Sequence, residues 1–274
     1  MLKLRILTAI VLLAPLLAAL FLLPSIWIAV IFGVVVTAGA WEWTALIGIR
    51  SVAQRGVYTG LLLAAGFSLM AAGYNAAMLV FVVATAGWLL ALVELVRRPR
   101  VHDGWLGGRD AHAVAGFLIL VPSWLATYSL HAADPDRPLV LLYALVLVWV
   151  ADSMAYLSGH LFGRTKLAPA ISPGKTVEGV VGGVLSVALV AGVGGTLIWH
   201  YTEKNLALWI ALSIIAALIS VLGDLLESKF KRMAGVKDSG RMLPGHGGVL
   251  DRIDALTAAL PVFALGWHLW FRPA

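Results

Sequence analysis

Residues 206–254 read LALWIALSIIAALISVLGDLLESKFKRMAGVKDSGRMLPGHGGVLDRID. The first part, up to Ser228, is nearly all hydrocarbon. It is long enough to cross a bilayer, which takes about 20 mostly apolar residues. The sequence then turns abruptly polar. Between Ser228 and Asp254, Lys229, Lys231, Arg232, Lys237, Arg241 and Arg252 meet Asp238, Asp251 and Asp254. Gly235, Gly240, Gly245, Gly247 and Gly248 separate them. A membrane helix that opens into a dense, glycine-rich charged segment sets the expectation for the chain: an all-α integral membrane protein with its chemistry at that junction.

The composition agrees. Of 274 residues, 61% are hydrophobic and 12% charged, and the mean hydropathy is +0.94. Soluble domains carry about 25% charged residues. A β-barrel would show alternating segments of roughly ten residues, whereas these runs are continuous and rich in Leu, Ala and Val. Nine apolar segments are expected, near 5–23, 25–47, 57–73, 76–96, 112–131, 138–160, 177–200, 206–228 and 249–270. Lys3 and Arg5 precede the first. It is expected to be a retained helix, because no small-x-small cleavage site with a polar flank follows. The chain reads as one polytopic domain over 1–274, with N-terminal helices in 1–131 and catalytic helices and loops in 138–274. There are no cysteines, which excludes disulfides, thiolate nucleophiles and thiolate metal sites.

Nine crossings put the N-terminus and every second loop on one side. Of the 20 Lys and Arg residues, only Arg137, Lys204 and Arg272 fall on the other side. Basic residues collect on the cytoplasmic side. The N-terminus, loop 161–176 and loop 229–248 are therefore expected in the cytoplasm and the C-terminus in the periplasm.

The first five helices show little chemistry. Glu42, between Trp41 and Trp43, suits an interfacial anchor, and Glu94 suits pairing with the nearby arginines. Small-residue faces such as Gly179, Gly182, Gly183 and Ser186, or Gly192, Gly194 and Gly195, fit close helix packing.

Three polar islands follow. Asp152 lies in or at the edge of a membrane helix, with Tyr156, Gly159 and His160 along the same face. An intramembrane acid costs at least ~2.5 kcal/mol on insertion scales, so Asp152 has either a task or a neighbouring hydrogen-bond partner. Ser172 to Gly179 read SPGKTVEG. Ser172 and Pro173 suit an N-cap and first helical residue, which would place Lys175 and Thr176 in the first turn of a helix whose positive end favours phosphate. Lys175 as an interfacial cation is the other possibility. A P-loop is excluded, because Pro169 stands where its first glycine belongs. Asp224, Glu227, Ser228 and Lys231 then share one helical face. Paired carboxylates there suit Mg²⁺, which takes one or two carboxylates plus water and phosphate oxygens. The glycine-rich loop can approach a polyphosphate, with Lys237, Arg241 and His246 to neutralise it. Asp251 and Asp254 open the last helix.

These parts suit phosphoryl or nucleotidyl transfer, which depends on positioning and charge neutralisation rather than on a protein nucleophile. A membrane setting suggests a lipid as one substrate.

The signature resembles that of the phosphatidate cytidylyltransferases, or CDP-diacylglycerol synthases. It is carried by Ser228, Lys231, Arg232, Lys237, Asp238, Pro244, His246, Gly247, Gly248, Asp251, Arg252 and Asp254. Further matches are Asp152 with Ala155 and Tyr156, the run from Gly163 to Lys166, Ser172, Pro173, Lys175, Thr176, Glu178 and Gly179, and Gly223 with Asp224, Glu227 and Ser228. The resemblance implies transfer from CTP to phosphatidate, giving CDP-diacylglycerol and pyrophosphate. It implies Mg²⁺ at a two-cation centre, with a second cation such as K⁺, held by Asp224, Asp251 and Asp254 with Asp152 nearby. It implies catalytic roles for Asp224, Lys231, Asp251 and Lys175. Substrate would be bound by Ser172, Lys175, Thr176, Glu178, Ser228, Arg232, Lys237, Asp238, Arg241, His246, Gly247, Gly248 and Arg252. It also implies a homodimer among membrane lipids in a bacterial inner membrane, with no nucleic-acid partner. The rival expectations are a cytidylyltransferase for another lipid phosphate and an ion-coupled transporter. A transporter would place acids near the midplane and show inverted repeats, and the sequence shows no repeat.

Overall fold

The computed structural model describes residues 13–101, 108–133, 138–242, 245 and 247–272. Nine helices stand among them: α1 (Leu13–Leu22), α2 (Ser25–Leu46), α3 (Val52–Ala71), α4 (Tyr74–Arg97), α5 (Arg109–Ala132), α6 (Leu139–Phe162), α7 (Val177–Leu197), α8 (Glu203–Met233) and α9 (Leu250–Trp270). Between α6 and α7 lies a small antiparallel hairpin of β1 (Lys166–Ala168) and β2 (Ser172–Thr176). Seven of the helices, α2 and α4 to α9, are long and apolar enough to cross a membrane. Helix α3 has the length but is less apolar, and α1 is short over its described residues. The protein is an all-α integral membrane protein, with one two-stranded hairpin among the described residues.

Small residues set the helix contacts, as expected where lipid gives no hydrophobic drive for association. Helices α6 and α7 approach so closely that a Cβ on Gly179 or Gly183 would run into the Ala155 or Ala151 carbonyl oxygen. Gly223 of α8 lies against the Asp254 backbone of α9 in the same way. Trp124 of α5 is fully buried between Gly33 of α2 and Gly66 of α3, and its indole N–H donates to the Ala29 carbonyl at 2.7 Å. In the other half of the core, Tyr143 of α6 and Ser213 of α8 share a hydrogen bond of 2.6 Å.

The start of α7 departs from the sequence expectation. Residues Ser172 to Thr176 form β2, paired as Lys166 with Thr176 and Ala168 with Ser172, rather than a helical first turn. The N-cap is Thr176, whose Oγ1 accepts the Gly179 N–H at 3.1 Å. Proline at 173 gives no N–H to either structure, so it suits a strand as well as a helix start. The deciding contact comes from Glu178. Its carboxylate accepts the Arg164 and Thr165 N–H groups at 3.1 Å, which draws the residues before β1 alongside β2.

Candidate active site

The ends of α2 and α8 meet the start of α9, the hairpin reaches α8 through Lys175, and some of the polar side chains of the three islands gather there. Two linked clusters form.

The first is built around Asp251, in the opening turn of α9. Its Oδ1 accepts from the Lys231 ammonium at 2.7 Å. Its Oδ2 accepts the Ser239 N–H at 3.0 Å and the Gly248 N–H at 2.8 Å. Lys231 also pairs with Glu227, one turn earlier on α8. Asp251 thus fastens both limbs of the loop 234–249 to the end of α8.

Glu42 completes that fastening. It is 3% exposed. Its Oε2 accepts from the Ser239 hydroxyl at 3.1 Å and from the Leu250 N–H at 2.8 Å. The N-terminal N–H groups of a helix have no partner within it, and Glu42 satisfies one of those of α9 from a distant helix. The fit needs bare backbone. A Cβ on Gly248 would meet Ser239, Glu42 and the Gly240 nitrogen, and Gly247 has φ +87°, which disfavours any side chain. Glu42 is therefore part of the site's frame, not the interfacial anchor expected, and the first helices carry more of the site than expected. Glu94 differs too. It is 2% exposed, and its partner is not an arginine but Lys229, at 3.8 Å, whose ammonium also donates to the Arg98 carbonyl at 3.0 Å. An acid inside an apolar helix is costly unless engaged. That rule, applied to Glu42 and Glu94, is the signal that would have found both. Ser239 carried no such signal.

The second cluster holds Asp224, Asp152, Asp254 and Lys175. The Lys175 ammonium lies 2.6 Å from Asp224 Oδ2, and Ser228 donates its hydroxyl to Asp224 Oδ1 at 3.2 Å. Asp152 from α6 and Asp254 from α9 lie close enough to Asp224 to feel its charge. The close approach at Gly223 brings α8 and α9 into this register.

The remaining candidates spread outward. Arg232 donates to the Val236 carbonyl at 3.0 Å. Lys237, Asp238, Arg241 and Arg252 are exposed around the loop. Thr176 and Glu178 serve the start of α7 and the hairpin. Ser172 sits at the hairpin turn, about 10 Å along the strand from Lys175, apart from both clusters. His246 lies outside the described residues.

Behind the polar centre is an apolar cavity of about 680 Å³, lined by Leu92, Leu95 and Val96 of α4, Val180 of α7, Leu218, Leu222 and Leu225 of α8, and the hairpin turn from Leu167 to Ile171. Leu222 and Leu225 stand two residues before and one after Asp224, so the same turns of α8 border the apolar space on one face and the charged cluster on another.

Among the described residues no three Asp, Glu or His side chains are grouped to hold a metal by themselves. Mg²⁺ takes one or two protein carboxylates, with water and substrate supplying the rest, a share that any two of Asp224, Asp152 and Asp254 would meet. Both oxygens of Asp251 are engaged by protein donors.

Comparison with known proteins identifies the family of the chain. The chain is 40% identical over 284 residues to the phosphatidate cytidylyltransferase of Haemophilus influenzae, covering 96% of this chain and 98% of that protein. It is 44% identical over 269 residues to the phosphatidate cytidylyltransferase of Pseudomonas aeruginosa, covering 96% of each. A shorter match, 49% over 124 residues and 44% of this chain, is to the phosphatidate cytidylyltransferase of Staphylococcus saprophyticus. Residues 3–270 match the cytidylyltransferase family. With the family match running nearly end to end, and with acids and bases converging where its helix ends meet, the chain is a nucleotidyl-transferring enzyme and belongs to the cytidylyltransferase family.

Proposed function

We propose that this enzyme transfers the cytidylyl group of CTP to phosphatidate, releasing pyrophosphate and forming CDP-diacylglycerol at the cytoplasmic face of the bacterial inner membrane. The observation that carries the proposal is the joining of two unlike environments on α8. Asp224 with Lys175 forms a charged cluster with partial access to solvent, and Leu222 and Leu225, on a neighbouring face of the same turns of α8, line a cavity whose apolar walls suit acyl chains. A lipid phosphate monoester needs both at once. The names of the full-length relatives support the same substrates.

In this scheme an anionic phosphate oxygen of phosphatidate attacks the α-phosphorus of CTP. The bond from that phosphorus to the bridging oxygen breaks, and pyrophosphate leaves. The acceptor is already anionic, so no strong general base is required. Lys175, Lys231, Arg232, Lys237 and Arg241 bind and neutralise phosphate oxygens, which is the main need of such a transition state. Asp224, with Asp152 and Asp254, would hold Mg²⁺, with a second cation such as K⁺ beside it, and Mg²⁺ when bound supplies further neutralisation of the leaving pyrophosphate. Asp251 and Glu42 hold the loop in place. The placement of basic residues supports nine crossings with a cytoplasmic N-terminus, and the family resemblance supports a homodimer.

The test is pyrophosphate release by the purified protein in detergent, with CTP, Mg²⁺ and phosphatidate each omitted in turn. Release that requires all three, with CDP-diacylglycerol as lipid product, is expected. Release only with another lipid phosphate would keep the chemistry and change the acceptor. No release with any lipid phosphate would overturn the proposal.

A further inference from the structure

A second mixed pocket lies at the other end of the bundle. There the end of α3, the start of α4 and the ends of α5 and α9 surround a cavity of about 390 Å³. On α9, His268 is 17 residues past Asp251, about 26 Å along the axis. That is close to the roughly 30 Å hydrocarbon thickness of a bilayer, so this pocket and the candidate active site face opposite leaflets.

One side of the pocket is polar. The Ser129 hydroxyl and the His268 Nε2 lie 2.6 Å apart. The Arg272 guanidinium carbon sits 3.9 Å from the centre of the Tyr74 ring, a cation–π contact that holds the side chain without using its N–H donors. Among the described residues no carboxylate pairs with Arg272. Tyr128 also lines this side. The lining also includes hydrocarbon from Leu69, Met70 and Leu125.

We infer that this pocket binds one anionic phospholipid of the leaflet opposite the candidate active site. Arg272 meets the headgroup phosphate, Ser129 and Tyr128 offer hydroxyls beside it, and an acyl chain lies along Leu69, Met70 and Leu125. A positioned guanidinium with spare donors suits planar, bidentate recognition of phosphate. A free anion would have no use for the hydrocarbon lining. A lipid without a phosphate would have no use for the guanidinium. The pocket shares no residue with the proposed catalytic machinery.

Native mass spectrometry of the full-length protein in detergent tests this, with dioleoyl phosphatidylglycerol or dioleoyl phosphatidylcholine added. The wild type is expected to retain one more phosphatidylglycerol than Arg272→Ala, whose affinity for that lipid falls roughly tenfold. Arg272→Lys should recover part of the loss, and phosphatidylcholine, whose choline cation offsets its phosphate, should show a smaller difference between variants than phosphatidylglycerol. Arg272 is exposed, and equal melting temperatures in lipid-free detergent would confirm that the variants fold alike. Equal retention of phosphatidylglycerol by wild type and Arg272→Ala would overturn the inference. So would displacement of the bound lipid by inorganic phosphate at the same concentration, which would make the pocket a site for a free anion.

Discussion

The Lys175 ammonium lies 2.6 Å from the Asp224 carboxylate, tying the hairpin to α8. Both side chains keep partial access to solvent, 23% and 32%, so the pair is an open one rather than a buried lock. An open ion pair of this kind adds about 1 kcal/mol or less to stability. Lys175→Ala should therefore leave the melting temperature almost unchanged and raise the KM for CTP or for the lipid about tenfold. Steady-state kinetics with each substrate varied will show it. Unchanged KM values for both would return Lys175 to the role of a surface cation.

Glu42 should behave differently. Glu42→Ala leaves the Ser239 hydroxyl and the Leu250 N–H buried without their acceptor, at about 1–3 kcal/mol per unsatisfied group. It should lower the melting temperature and the activity together. Glu42→Gln keeps one acceptor oxygen and should retain more of both. A Glu42→Ala enzyme with wild-type stability would remove Glu42 from the frame of the site.

Asp251→Asn should reduce kcat by more than a hundredfold. An amide offers one acceptor oxygen where the carboxylate now serves Lys231, Ser239 and Gly248 through two. The loop 234–249 should also become more open to protease. Lost activity with an unchanged digestion pattern would mean that Asp251 acts on substrate or metal rather than on the loop.

Glu94 and Lys229 form a pair 2% and 6% exposed at their side chains. Breaking a buried pair costs about 3–5 kcal/mol, whereas replacing both partners with apolar residues is often neutral. Glu94→Leu and Lys229→Leu should each lower the melting temperature, and the double variant should recover much of the loss. Additive losses in the double-variant cycle would show that the two side chains do not depend on each other.

A reporter fused after Ala274 should respond as periplasmic, and one inserted in the loop 234–249 as cytoplasmic, since one crossing by α9 separates them. The same response from both would remove α9 from the set of spanning helices.

The membrane character and most helix positions were legible because hydrophobic runs of bilayer length leave few alternatives. The face shared by Asp224, Glu227, Ser228 and Lys231 was legible because helical spacing sets it directly, and the Lys231–Glu227 and Ser228–Asp224 contacts follow from it. The hairpin was not. Ser172 and Pro173 are as compatible with a helix start as with a strand, and the choice rests on the carboxylate of Glu178 reaching the Arg164 and Thr165 N–H groups. Glu42 was hidden for another reason. Its neighbours Trp41 and Trp43 suggest a membrane interface, and nothing local reveals that its partners lie near the far end of the chain.

That separation has a consequence for how the protein is made. Glu42 and Ser239 are 197 positions apart. At 5–20 residues per second, the ribosome needs roughly 10–40 s to reach the second after the first. Through that interval α2 holds a carboxylate whose eventual partners do not yet exist. The frame of the site is thus among the last contacts completed during biogenesis, and a chain truncated before the loop leaves Glu42 as an unmatched acid in a helix surrounded by lipid and protein.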